Sequence, residues 1–188
     1  MAHTPSNHRK AHLNELLERF QPDNPDEQGF KERMLDLLHS SEEPFSSKHF
    51  VPGHFTASAF VLSPSKKELL LIFHGKLHKW LQPGGHIDPE DTDVLSAAKR
   101  EVQEEVGISE LTLVGDQIFD VDIHDIPPYK EKPAHAHYDI RFLFVAHNQD
   151  FQITDEVKDA SWFSLEKISQ IQSDASVMRA VQRIIEQH

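Results

Sequence analysis

Cysteine is absent from this 188-residue chain, which excludes disulfides, thiolate metal sites and cysteine nucleophiles. No stretch of about 18 apolar residues occurs, so no segment reads as a membrane-spanning helix. The first residues also lack the apolar core of a signal peptide. The expectation is a reducing, cytoplasmic location and no membrane partner. Positive charge is scarce as well: 19 lysines and arginines stand against 31 acidic residues, for a formal net charge of −12. Such a balance argues against a nucleic-acid-binding surface and against attraction to anionic lipid. An anionic substrate would need local help from metals and a few basic groups. Neither an internal repeat nor a low-complexity stretch is visible.

What is present is ordinary for a globular protein, with 38% hydrophobic and 27% charged residues. The length allows one domain with a modest extension. The most informative stretch runs from Pro83 to Ile108, PGGHIDPEDTDVLSAAKREVQEEVGI. Gly84 and Gly85 predict a tight turn whose backbone can approach a ligand or metal. A helix is expected to begin near Asp91 to Asp93, with Leu95, Ala98, Val102 and Val106 on its buried stripe and Gly107 as its stop. Glu101, Glu104 and Glu105 then fall on one stripe beside the apolar one, and Arg100 precedes Glu104 by four residues. Three carboxylates in one turn repel one another, so something cationic should lie among them. Carboxylate oxygens suit the hard ions Mg2+ and Mn2+, which bind through a few carboxylates plus substrate phosphate oxygens. A carbonyl of the glycine turn could add another oxygen. Taken alone, an E-x-x-E-E run is more often a solvated helix face; the double glycine and the sharp helix stop are what set this one apart.

The stretch resembles the signature box of the Nudix hydrolases, G-x5-E-x7-R-E-U-x-E-E-x-G-U with U aliphatic. The second half matches throughout, from Arg100-Glu101-Val102 to Val106-Gly107-Ile108. The first half departs from it: the glutamate position holds Asp91 when counted forward from Gly85 and Thr92 when counted back from Arg100. The resemblance implies an α/β fold, the Nudix α/β/α sandwich with a mixed β-sheet, carrying here an N-terminal helical extension. It implies Glu104 and Glu105 as metal ligands, Glu101 as metal ligand or general base, the Gly84 carbonyl as a further ligand, and Arg100 as the residue that orients the helix. The lack of cysteine counts against the isoprenoid diphosphate isomerase branch, whose chemistry uses one.

Residues 1–50 are expected to form a helical arm and linker, and residues 51–188 the Nudix domain. In the arm, Leu13, Leu16, Leu17 and Phe20 share a face of a helix starting near Ala11, and Phe30, Met34, Leu37 and Leu38 face inward from a second one ending near His39. Strands are expected over His54 to Leu62, Glu68 to His74 and Lys79 to Gln82, and one or two more between Leu111 and Ile123. Trp80 packs beside the glycine turn in one reading and stacks on a substrate base in the other. Ile126 to Pro133 reads as a loop, suited to a substrate-facing flap.

Period-two alternation along the next strand puts His135, His137, Asp139 and Arg141 on one face. On a strand inside a sandwich these polar groups need a cavity, water or ion-pair partners. Two readings stay open: His137, Asp139 and Arg141 line the substrate pocket, or Asp139 and Arg141 form a structural charge network. A transition-metal site of two histidines and an aspartate is a third, weaker possibility. A last strand is expected over Val157 to Phe163, with Ser164 capping a short helix. In the acidic loop Asp155-Glu156, Glu156 is a candidate base or extra metal ligand by resemblance, with a solvated loop acid as the alternative. A terminal helix should run from Asp174 to about Gln187, with Val177, Ala180, Val181 and Ile184 inward.

The reaction implied is Mg2+- or Mn2+-dependent hydrolysis of a diphosphate linked to another group, with ADP-ribose or a nucleotide sugar as examples. The alternatives are a nucleoside triphosphate pyrophosphohydrolase, oxidised nucleotides included, and a Nudix-fold domain that binds a nucleotide without cleaving it. The proline of ADP-ribose enzymes and the tyrosine of dinucleoside polyphosphate enzymes follow the box at set distances; Pro127, Pro128 and Tyr129 lie too far along to match. Arg141, Lys76 and Lys79 are candidate helpers for the outgoing phosphate. The partner is a small nucleotide-type molecule, and the chain is expected to be a monomer or homodimer.

Overall fold

A computed structural model of the protein describes residues 5–75, 77–155 and 157–187. Helices α1 (Pro5–Arg19) and α2 (Pro25–Ser40) lead into strands β1 (Gly53–Leu62), β2 (Glu68–His74), β3 (Lys79–Leu81) and β4 (Gly84–His86). Helix α3 (Val94–Val106) follows, then β5 (Leu111–Leu113), β6 (Asp120–Ile126), β7 (His135–Ala146), β8 (Ala160–Ser164) and α4 (Ala175–Gln187). The class is α/β, a mixed sheet with helices, as the sequence implied. Strands hydrogen bond along the path β3-β2-β1-β7-β5, with β4 on β1, β6 on β7 and β8 on β2.

Two compact units are distinguishable, and β1, β7 and α3 each run through both. One gathers the chain up to Ala57 with Gly85–Ala97 and Gln117–Arg141. Here α1 and α2 bury Leu13, Leu17, Met34 and Leu38, and α2 packs against β6. Phe30, expected inward, is only half-buried, while Glu27 is buried because its carboxylate accepts the backbone N–H of Asp23 and the side-chain amide of Asn24. Asn24 caps α2 by accepting the N–H of Glu27. In the same unit β6 and β7 form a hairpin, in register from Asp120↔Arg141 to Ile126↔His135. The expected flap is the connection of that hairpin, closed by a Tyr129–Lys132 bridge with Lys130 at φ 53°.

The other unit holds Ser58–Gly84, Ala98–Asp116 and the chain from Phe142 onward. Strand β2 is sandwiched between β3 and β8, and its Leu69, Leu70 and Leu71 are fully buried. Helix α4 buries Val177, Ala180, Val181 and Ile184, the stripe its periodicity predicts.

Several boundaries differ from expectation for local reasons. Gly84 and Gly85 do not make a turn; they form the short strand β4 on β1, next to a hydrogen bond from the Ala59 N–H to the Pro83 carbonyl. Ser164 ends β8, and the short helix Ile168–Gln170 starts after Lys167 with no side-chain cap. Helix α3 begins one residue after the expected window because Asp93 caps it: its carboxylate accepts the N–H of Ser96, whose hydroxyl accepts the N–H of Asp93. Asp93→Ala should therefore cost about 1 kcal/mol, read as a lowered urea midpoint with unchanged slope. At the other end Gly107, at φ +72°, donates to the Gln103 carbonyl and closes the helix.

Candidate active site

The capped start and glycine stop of α3 set which of its residues face inward. Val102 and Val106 are fully buried, and Glu101 and Glu105, one position before each, stand at the edge of that stripe at 8% exposure. The side chain of Glu104 is 45% exposed. Arg100 Nη1 donates to Glu101 Oε1 at 3.0 Å and to Glu104 Oε2 at 2.7 Å. A cation thus already lies between two of the three acids. Asp91, at the departing position of the box, accepts the Asp88 N–H.

Glu105 is oriented by the glycine strand: the Gly84 N–H donates to Glu105 Oε2 at 3.0 Å. The contact with this carboxylate is made by the amide, where the sequence pointed to the Gly84 carbonyl as a metal ligand. Residues 152–154 cover the C-terminus of α3, with Gln152 N–H on the Val106 carbonyl and Thr154 N–H on that of Glu105. Two last-turn carbonyls are satisfied in this way, and the loop bearing Asp155 is held beside the glutamates. Glu156 and Lys76 lie outside the described residues. Gly84 is thus joined to Glu105, and Arg100 to Glu101 and Glu104, and the acids offer only oxygen donors, the kind that hard divalent cations take.

Trp80 is half-buried, its ring edge-on to Phe73 and Phe163 at 5.3 and 4.8 Å. Its carbonyl accepts the Ser173 hydroxyl. Lys79 is ion-paired with Asp174.

Asp139, Arg141 and His137 sit in the other unit. Arg141 is 2% exposed and surrounded by carboxylates: Asp139 at 2.8 Å, Asp120 at 3.1 Å and Asp122 at 3.3 Å. Burial alone would lower the pKa of the guanidinium; the charges of Asp139, Asp120 and Asp122 outweigh it and raise the pKa further above its usual value. Thr56 donates to the other oxygen of Asp139. Asp139 and Arg141 thus belong to the charge network that the alternation allowed for.

His137 belongs to a cluster of imidazoles, with ring centres 4.9 Å from His54, 5.3 Å from His135, 5.4 Å from His124 and 5.5 Å from His86. Burial and then the neighbouring imidazoles press its pKa down to about 2. His54 falls to about 4, chiefly by burial, against the opposing hydrogen bond with the His49 backbone. Both rings are neutral at pH 7. His124 goes the other way: partial desolvation opposes its charge, but the Asp122 hydrogen bond and the charges of Asp139 and Asp122 raise its pKa. The sequence reading missed His54 and Thr56. The polar alternation His54-Thr56-Ser58 along β1 was the signal that could have found them.

Comparison with known proteins completes the picture. The sequence model of the NUDIX domain matches residues 52–182. Mouse bis(5'-nucleosyl)-tetraphosphatase (asymmetrical) is 30% identical over 105 residues, which are 55% of this chain and 67% of the mouse protein. Among solved structures, an Ap4A hydrolase of C. elegans in a binary complex is 24% identical and superposes with a TM-score of 0.54, over 71% of this chain and 98% of that one. The E. coli dihydroneopterin triphosphate pyrophosphohydrolase is 19% identical with a TM-score of 0.58, over 71% and 96%. At such identities the structural likeness establishes the fold.

Proposed function

The chain belongs to the NUDIX domain family, hydrolases that use divalent cations on small nucleotide substrates, and we propose that it cleaves a diphosphate linkage in a nucleoside diphosphate joined to a second group. ADP-ribose, nucleotide sugars and dinucleoside polyphosphates all have this chemistry. The observation that carries the reading is the fixed trio on α3: Glu105 held by the Gly84 N–H, and Glu101 and Glu104 held by Arg100. The mouse relative, named for a bis(5'-nucleosyl) tetraphosphate, supports a substrate with nucleosides at both ends.

Glu101, Glu104 and Glu105 would hold Mg2+ or Mn2+, which when bound supplies positive charge against the phosphate oxygens and acidifies water. The rest is done by the chain. Arg100 keeps two carboxylates from splaying apart, so their repulsion does not have to be overcome each time the site is loaded. The Gly84 amide fixes the third on the same side of the helix. Glu101 takes the proton of the attacking water, and Glu156 is the alternative base. Water adds across the P–O–P bridge, leaving a phosphate-ended fragment on each side. Lys79 and Arg141 already have carboxylate partners, so neither is assigned to the departing phosphate.

The test is a panel of ADP-ribose, nucleotide sugars, diadenosine tetraphosphate and nucleoside triphosphates, with Mg2+ or Mn2+, scored for inorganic phosphate. For the panel members without a terminal phosphate, release only when an alkaline phosphatase is added is the expected result, because cleavage exposes phosphate ends on the products. Release from a nucleoside triphosphate when inorganic pyrophosphatase is the sole added enzyme would point to triphosphate substrates instead. Silence across the panel would leave a nucleotide-binding domain.

A further inference from the structure

From the histidine cluster we infer a second metal site, built by His54, His135 and His137 and suited to a borderline-soft divalent cation such as Zn2+. Each of the three offers one ring nitrogen, and these atoms lie within 4.8 Å of one another. All three belong to the same compact unit, and none is on α3.

The backbone brings them together. His135 and His137, two residues apart on β7, project from the same face, and His54 is the second residue of neighbouring β1. The register is set beside them, where the Ala136 N–H donates to the Pro52 carbonyl at 3.0 Å. Close approach depends on Gly53, since a Cβ there would lie 1.8 Å from the Ala136 carbonyl oxygen.

The hydrogen bonds also settle which nitrogens carry a lone pair. His54 Nδ1 is 3.0 Å from the His49 carbonyl and His135 Nδ1 is 2.8 Å from the Pro133 carbonyl. A carbonyl only accepts, so both Nδ1 atoms carry the proton and both Nε2 atoms present a lone pair. A backbone carbonyl that fixes the tautomer of a ligating imidazole is the usual outer support of a metal-bound histidine. His54 is fully buried, yet its Nε2 has no hydrogen-bond partner. A buried acceptor without a donor is costly, and a cation on that lone pair would satisfy it. Ring packing alone would be served as well by phenylalanine and would not need two carbonyls to fix the tautomer.

Neutral imidazoles suit Zn2+, Ni2+, Co2+ and Cu2+ better than Mg2+, which separates this site from the all-carboxylate set on α3. Zinc bonds of about 2.0–2.1 Å in a tetrahedron need donors roughly 3.3 Å apart. The rings therefore need to close by at most about 1.5 Å, a movement within side-chain rotation. Three protein ligands leave a fourth position, and His86, with its ring 5.2 Å from that of His54, adjoins it.

The test uses the full chain, stripped with chelator and returned to saturating Mg2+, then titrated with Zn2+ and with Co2+ as a spectroscopic probe. The expected result is a single equivalent bound with a ligand-field band of low coordination number, unchanged in a Glu104→Gln/Glu105→Gln double variant. His137→Gln and His135→Gln should each weaken binding on the order of 100-fold or more. Long-range 1H–15N spectra of the wild-type imidazoles need no substitution and should show Zn2+ shifting the Nε2 signals of His54 and His135. The inference is overturned if Mg2+ abolishes binding, if both histidine variants bind within about threefold of wild type, or if the shifted imidazoles are others among the 14 histidines.

Discussion

Glu105→Gln is expected to lower kcat/KM at fixed Mg2+ by on the order of 100-fold or more, with little change in stability. The substitution isolates charge from structure. A glutamine Oε1 can accept the Gly84 N–H that Glu105 Oε2 accepts at 3.0 Å, so the strand and helix stay tied. What is lost is one negative charge from the set that would hold the cation, and the apparent Mg2+ requirement should rise with the loss of rate. Glu104→Gln should behave alike in rate. Its side chain is 45% exposed, and its pair with Arg100, a surface pair spaced i to i+4, is worth only about 0.3–0.5 kcal/mol. Steady-state rates over a Mg2+ titration, with a urea midpoint for each variant, are the measurement. If both variants keep turnover within about threefold of wild type, the three glutamates are a helix face and the proposed site is wrong.

How far the sequence could be read depends on where the partners of each residue lie. Helix α4 and strand β2 were legible because the apolar spacing that buries them is carried by the element itself. The glutamate stripe was legible for the same reason, and so was the stop at Gly107. The glycine pair was not: Gly84 and Gly85 look like a turn locally, and only their pairing with β1 makes them a strand. The polar face of β7 was half legible. Alternation showed that His135, His137, Asp139 and Arg141 share a side, but what that side meets is supplied by β6 and β1. The register places Asp120 opposite Arg141 and Asp122 opposite Asp139, and Thr56 reaches Asp139 from 83 positions away. An Asp-x-Asp on one strand and an Asp-x-Arg on the next, both alternating across a hairpin, would have predicted the ion cluster over the open pocket. The cluster of imidazoles needed the β1–β7 pairing as well, which no local pattern states.

Arg141→Met should destabilise the protein by about 3–5 kcal/mol, a large share of the roughly 5–15 kcal/mol that holds a domain together. The loss comes less from missing attraction than from what remains. Asp120, Asp122 and Asp139 are exposed by 0%, 5% and 4%, and without the guanidinium three like charges share a buried space from which their arginine partner is gone. Removing one of those charges should return part of the loss. Asp139→Asn in the Arg141→Met background is expected to recover at least about 1 kcal/mol, within the range of couplings between contacting residues, whereas the same change in wild type should destabilise. Lysine at 141 should fall between, since its single ammonium cannot meet three carboxylates as the planar fork does. Urea midpoints for the four members of the cycle decide the matter. Were Arg141 a substrate contact, Arg141→Met would raise KM and leave the midpoint within about 1 kcal/mol of wild type. A buried network predicts the reverse order of effects, with the fold failing before the affinity does.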